Sequence, residues 1–153
     1  MDTTAGDATD AEWPFPEPDD VVGWTIVRTG HAVGRAFTRE LAAVGLKPHI
    51  FGVLAQARHS PGLSSAELAR HVLVTPQSMG EILRRMAADG LVEYTPPKRG
   101  QRMRVHLTDA GSDLLDRAFQ VVGAMNAPTY LGLSPEESRH LNTLLHKVLT
   151  ATG

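Results

Sequence analysis

At 153 residues the chain has the length of one domain with a single modest core. It has no cysteine, which excludes disulfides, thiolate metal sites and a thiol redox switch, and the absence of any long apolar run predicts no membrane-spanning helix. The formal charge of −2 conceals an asymmetry: seven acids and no Lys or Arg fall in residues 1–20, leaving a net +5 elsewhere, so overall charge does not argue against a polyanionic partner.

Residues 1–18 are small, acidic and proline-bearing, the composition of a disordered tail. Trp13-Pro14-Phe15-Pro16 is either part of that tail or a docking segment. With no basic n-region and apolar h-region the start does not read as a secretory signal, and a cytoplasmic protein is expected. A single domain is expected over residues 19–153. Its first helix, about 20–44, is capped by Asp19 or Asp20, and Val22, Ile26, Thr29, Val33, Phe37, Leu41 and Val44 recur at helical spacing. Gly45 ends it. Pro48 opens a second helix with Phe51, Val53, Leu54 and Ala57 on its buried side, and His59-Ser60-Pro61-Gly62 is a turn.

The next stretch is the most informative. Ser64-Ser65-Ala66-Glu67 has capping-box spacing, a hydroxyl for an orphan helix N–H and a carboxylate three residues on. That helix is expected to run as far as Leu73-Val74. Thr75-Pro76 then starts another, with the hydroxyl at the N-cap and proline at N1. Met79, Ile82, Leu83 and Met86 form its apolar stripe, while Gln77, Ser78, Glu81, Arg84 and Arg85 lie off the stripe. Gly90 stops it. The period then changes: Leu91 to Thr95 reads as a strand and Pro96 to Gln101 as a turn. Arg102-Met103-Arg104-Val105-His106-Leu107 alternates, placing Arg102, Arg104 and His106 on one face and Met103, Val105 and Leu107 inward. Thr108 caps a long helix with Leu114, Leu115, Ala118, Val121, Val122 and Met125 on its apolar face. Pro128 breaks the chain, and Ser134-Pro135-Glu136-Glu137 starts a last helix with Leu141, Leu144, Leu145, Val148 and Leu149 at helical spacing.

Helix–turn–helix followed by a charged hairpin is a winged helix, with a second helix sized for a DNA major groove. The expected fold is mainly α with a small antiparallel β wing. A winged helix-turn-helix at about 48–107 is flanked by dimerisation helices at about 20–44 and 109–151. The terminal helices carry more apolar surface than one small domain covers, which either an isologous homodimer or an intramolecular bundle would bury.

Four segments in register carry a resemblance: Leu46 to Leu54, Ser65-Ala66-Glu67-Leu68-Ala69, Gly90-Leu91-Val92, and Leu107-Thr108-Asp109-Ala110-Gly111. In order and spacing the chain resembles the MarR family of bacterial transcriptional regulators from about residue 20 onward. The resemblance implies a winged-helix repressor, dimeric through its terminal helices, that leaves DNA when a small molecule binds. Two departures stand out. The family's Asp-x-Arg pair in the wing is missing from Lys98-Arg99-Gly100-Gln101-Arg102, and Glu81 stands where a basic or hydroxyl residue is common.

Candidate DNA contacts follow from charge and position. Lys98, Arg99, Arg102 and Arg104 suit phosphate or the minor groove. Thr75, Gln77 and Ser78 occupy the first turn of the recognition helix. Gln77 can pair with adenine and Glu81 can accept from cytosine N4, while Arg84 and Arg85 suit phosphate, or Arg84 pairs with Glu81. By the resemblance, an effector binds where the dimerisation helices meet the winged helix. Trp24, Arg28, His31, Phe51 and Met125 are the candidate lining, suited to an aromatic acid; Trp24 and Phe51 read equally well as ordinary core.

The seven histidines are scattered, with no i, i+4 pair, so no metal is expected. No phosphate-cradling glycine loop, nucleophile elbow or zincin helix occurs, and neither catalysis nor a cofactor is expected. The expected function is sequence-specific binding of double-stranded DNA at an inverted repeat, with release by a small organic ligand. The alternative is a winged-helix protein–protein adaptor that does not bind DNA.

Overall fold

The computed structural model describes residues 17–95 and 103–152. The helices are α1 (Val22–Ala42), α2 (Pro48–His59), α3 (Ser65–Val72), α4 (Pro76–Ala88), α5 (Asp109–Met125) and α6 (Pro135–Thr152). A two-stranded ribbon, β1 (Val92–Thr95) and β2 (Arg104–Leu107), lies between α4 and α5, and short 3-10 turns occupy Pro18–Asp20 and Pro128–Leu131. No helix among the described residues is long and apolar enough to cross a membrane.

The chain divides into two compact units, residues 1–35 and 36–153. The described part of the first unit is the Pro18–Asp20 turn and the N-terminal part of α1. Asp19, expected as a helix cap, accepts a hydrogen bond from Arg28 Nη1 at 2.6 Å. Both side chains are well exposed, so this ion pair contributes little to stability. No residue of this unit from 17 to 35 is buried, and Val22, Trp24, Val27 and Val33 all expose large apolar surface.

The second unit holds the core. Leu41 at the end of α1, Val53 and Leu54 of α2, Leu68 of α3, Met79, Leu83 and Met86 of α4, Val105 of β2 and Leu115 of α5 are almost fully buried in one cluster. These are the positions that helical periodicity selects. Their burial leaves Gln77, Glu81, Arg84 and Arg85 on the solvent side of α4.

β1 and β2 pair antiparallel, Val92 opposite Leu107 and Thr95 opposite Arg104. The outer edge of β2 is docked in turn: Val105 N–H donates to Leu63 O at 3.0 Å, and Gly62 N–H donates to Val105 O at 3.2 Å. The ribbon is therefore fixed to the α2–α3 connection rather than hanging free. One expectation is corrected here. Met103 does not pack inward; it precedes the first paired residue of β2 and is 48% exposed, while Val105 is buried and the partly buried Leu107 packs against the core.

The passage from ribbon into α5 is tightly bonded. Thr108 hydroxyl donates to Gly90 O at 2.6 Å and accepts from Gly111 N–H at 3.1 Å, while Thr108 N–H donates to Leu91 O at 3.2 Å. Gly111 packs so closely on this junction that a Cβ there would lie 2.0 Å from the Leu91 carbonyl oxygen. The Leu107-Thr108-Asp109-Ala110-Gly111 segment thus joins α4, the ribbon and α5. Arg58, at the end of α2, donates to Asp116 Oδ1 at 2.5 Å and to Ser112 Oγ at 2.7 Å. Its guanidinium holds the Asp116 carboxyl below the usual carboxylate range.

α6 begins with the expected capping box: Ser134 N–H donates to Glu137 Oε2 at 2.7 Å and Glu137 N–H donates to Ser134 Oγ at 3.2 Å. Yet no residue of α6 is buried, and Leu141, Leu144, Leu145, Val148 and Leu149 stand 38–57% exposed.

Candidate nucleic-acid interface

The interface is built on two capped helices. Ser64 and Glu67 form the capping box of α3: Ser64 N–H and Oγ–H both donate to Glu67 Oε2, at 2.7 and 2.6 Å, and Glu67 N–H donates back to Ser64 Oγ. Hydrogen bonding to Ser64 holds the Glu67 carboxyl below its usual range, so it caps as a carboxylate. α3 ends at Val72, short of the Leu73-Val74 that the sequence suggests, because Leu73 turns left-handed, with φ 58° and ψ 44°.

α4 starts at Thr75, whose Oγ1 accepts from Ser78 N–H at 3.1 Å while its hydroxyl donates to Ser78 Oγ at 2.8 Å. The two hydroxyls are paired, and one proton of the pair remains for an outside acceptor, a phosphate or base oxygen. Gln77 is exposed beside them, as are Glu81, Arg84 and Arg85 further along α4. Helical geometry groups Gln77, Glu81, Arg84 and Arg85 at separations of three, four and seven to eight residues. The resulting face carries one amide, one carboxylate and two guanidinium groups over a rigid apolar base. Such a face can hydrogen-bond base edges near its N-terminal end and neutralise phosphates further along.

Of the expected wing cations, Lys98, Arg99 and Arg102 lie outside the described residues. Arg104 is described, and its Nη1 donates to Gly62 O at 2.6 Å. It therefore braces β2 against the α2–α3 turn, with the rest of its guanidinium left for a phosphate. The aliphatic stem passes over Gly62, whose φ of +82° and close neighbours Arg104 and His106 suit a residue without a side chain.

The candidate effector residues fall in different settings. In the first unit Arg28 and His31 come together in an open cleft of about 820 Å³, along with Asp19, Thr25 and Arg35. Arg35 was missed by the sequence reasoning, although its i+7 spacing from Arg28 places both on one helix face. Trp24 is 49% exposed and is not part of that cleft. In the second unit Phe51 sits between Phe37 and Phe119, edge to face with each, at ring separations of 5.6 and 5.7 Å. Met125 is buried at the end of α5. Among the described residues no three His, Asp or Glu side chains gather as a metal site.

The comparisons agree with this geometry. A family model described as MarR family matches residues 44–103. The HTH-type transcriptional repressor Rv2887 of Mycobacterium tuberculosis is 34% identical over 131 residues, covering 85% of this chain and 94% of the repressor. The crystal structure of that M. tuberculosis protein in complex with DNA superposes with a TM-score of 0.69 at 35% identity, over 85% of this chain and 98% of its own. Its complex with salicylic acid gives a TM-score of 0.70 at 34% identity, over 86% and 99%.

Proposed function

Because the chain belongs to the MarR family, we propose that it is a homodimeric, sequence-specific DNA-binding transcriptional repressor whose hold on DNA is released by a small aromatic acid. The observation that carries this reading is the exposed polar face of α4, with Gln77, Ser78, Glu81, Arg84 and Arg85 outward over Met79, Leu83 and Met86 in the core. Gln77 and Ser78 read base edges, Arg84 and Arg85 meet phosphate, and Arg104 fixes the ribbon while adding charge. Lys98, Arg99 and Arg102 supply the wing's remaining phosphate or minor-groove contacts.

The uncovered apolar face of α6 supports the dimer, because a second copy buries it at no cost in new sequence and places two α4 helices about one axis. For the effector, Arg28 and Arg35 with His31 form a cationic cleft that suits a carboxylate. Asp19 at present satisfies Arg28, so an incoming carboxylate exchanges one anionic partner for another. The M. tuberculosis protein has been solved with salicylic and with p-aminosalicylic acid, and salicylate is the first probe to use.

The test is fluorescence anisotropy on a duplex selected by the protein from a random library. Salicylate should release the wild-type protein in a saturable manner. Arg28→Ala should bind the duplex normally and need at least about tenfold more salicylate, the weight of one lost charge-assisted hydrogen bond. Equal release of both proteins would remove Arg28 from the effector site. Failure of the wild type to bind any selected duplex would favour the adaptor reading over DNA binding.

A further inference from the structure

Leu73 is the one residue other than glycine with a left-handed backbone among the described residues, and with 81% of its surface exposed it is also their most exposed large apolar side chain. Glycine is the usual occupant of such a helix C-terminus, since a Cβ there crowds the following carbonyl. A leucine in this place carries backbone strain and exposes most of its surface to water, and neither helps the free protein fold. Strain of this kind in a well-determined turn points toward a use.

The turn is well determined. Leu73 N–H and Val74 N–H both donate to Ala69 O. Val72 and Val74, on either side, pack against the core. Two inward valines therefore pin the backbone and project the leucine outward. Two residues further on, Thr75 caps α4, and Gln77 and Ser78 follow in its first turn. Leu73 is the only exposed large hydrophobic residue in α3, α4 or the turn between them. One isolated leucine in a polar surface is too small a patch for a protein partner. It matches a single apolar group at the edge of the surface that α4 presents.

DNA offers one such group in the major groove, the thymine 5-methyl. We propose that Leu73 is a specificity-determining residue that covers a thymine methyl flanking the bases faced by Gln77 and Ser78, once in each half-site. This rests on the DNA-binding function proposed above and adds to it a base preference that hydrogen bonds from α4 do not supply.

The experiment uses the full chain and the duplex it selects from a random library. Each thymine is replaced in turn by deoxyuridine, which removes the methyl and keeps every hydrogen-bonding group. Wild-type affinity should fall roughly fourfold at one symmetry-related thymine position per half-site, the effect of exposing one buried methyl. Leu73→Gly should bind the thymine duplex more weakly by a similar factor, lose the sensitivity to uracil at that position, and melt at an equal or higher temperature. Uniform insensitivity of the wild type to uracil would overturn the inference, and that result does not depend on any variant folding. An undiminished uracil effect in Leu73→Gly would overturn it as well. A wild type that enriches no sequence would instead remove the DNA-reading function itself, so the two failures are told apart.

Discussion

Gly111→Ala is expected to unfold the protein or lower its stability by at least about 2–3 kcal/mol, at the upper end for overpacking of a closely packed site. The added Cβ would stand 2.0 Å from the Leu91 carbonyl oxygen, which is backbone and cannot rotate aside. Relief requires α5 to move off the α4–β1 junction. That movement also breaks the hydrogen bonds through which Thr108 ties Gly90, Leu91 and Gly111 together. A matched control lies on the same helix: Gly123 has open space where its Cβ would be, so Gly123→Ala should gain up to about 1 kcal/mol from helix propensity. Thermal melts followed by circular dichroism separate them, Gly111→Ala falling by roughly 5–10 °C and Gly123→Ala holding or rising. Similar small shifts in both would show that the close approach at Gly111 carries no weight.

Leu145→Asp should turn a dimer into a monomer at micromolar concentration. α6 has no fully buried residue, and its apolar row at Leu141, Leu144, Leu145, Val148 and Leu149 is exposed. A carboxylate in the middle of that row faces its own copy across a two-fold axis and has to be desolvated there. Loss of the dimer also removes the second half-site contact, so affinity for an inverted repeat should drop by about 100-fold or more. Thr143→Asp, on the polar side of the same helix, adds the same carboxylate away from that row and should leave both mass and affinity unchanged. Light scattering with anisotropy decides the matter. A Leu145→Asp protein that stays dimeric would place the subunit contact elsewhere.

Legibility in the sequence followed the range of the interaction. Caps are local: the spacing of Ser64 with Glu67 and of Ser134 with Glu137, the Thr75-Pro76 pair and the Thr108 hydroxyl were enough to locate four helix starts. The apolar stripe of α4 was equally plain, because burial of Met79, Leu83 and Met86 follows the helical period. Long-range partners left no such trace. Nothing near Arg104 announces that it will donate to Gly62, 42 residues away, and nothing near Arg58 announces Ser112 and Asp116. Gly111 belonged to a recognisable segment, but the reason for a glycine there is a carbonyl twenty residues upstream. Alternation also misled at Met103, where the strand has not yet begun, and the turn of Leu73 was hidden because leucine signals helix rather than a left-handed cap. The residues of the exposed α4 face and the Thr75 cap were all legible; the pairing of the Thr75 and Ser78 hydroxyls needed the hydrogen bonds.

In the proposed dimer two copies of α4 read one face of a duplex together, and half-site phasing is the measurement that decides this. A two-fold dimer places its recognition helices in successive major grooves, so half-site centres should lie about 10–10.5 bp apart, or a multiple of this. Inserting about five base pairs turns one half-site to the far side of the duplex, whereas a full-turn insertion keeps the faces aligned. Footprinting should show both half-sites protected on the selected operator, one or none after the half-turn insertion, and partial recovery after a full turn. Equal affinity and equal protection for all three spacings would contradict paired reading by α4.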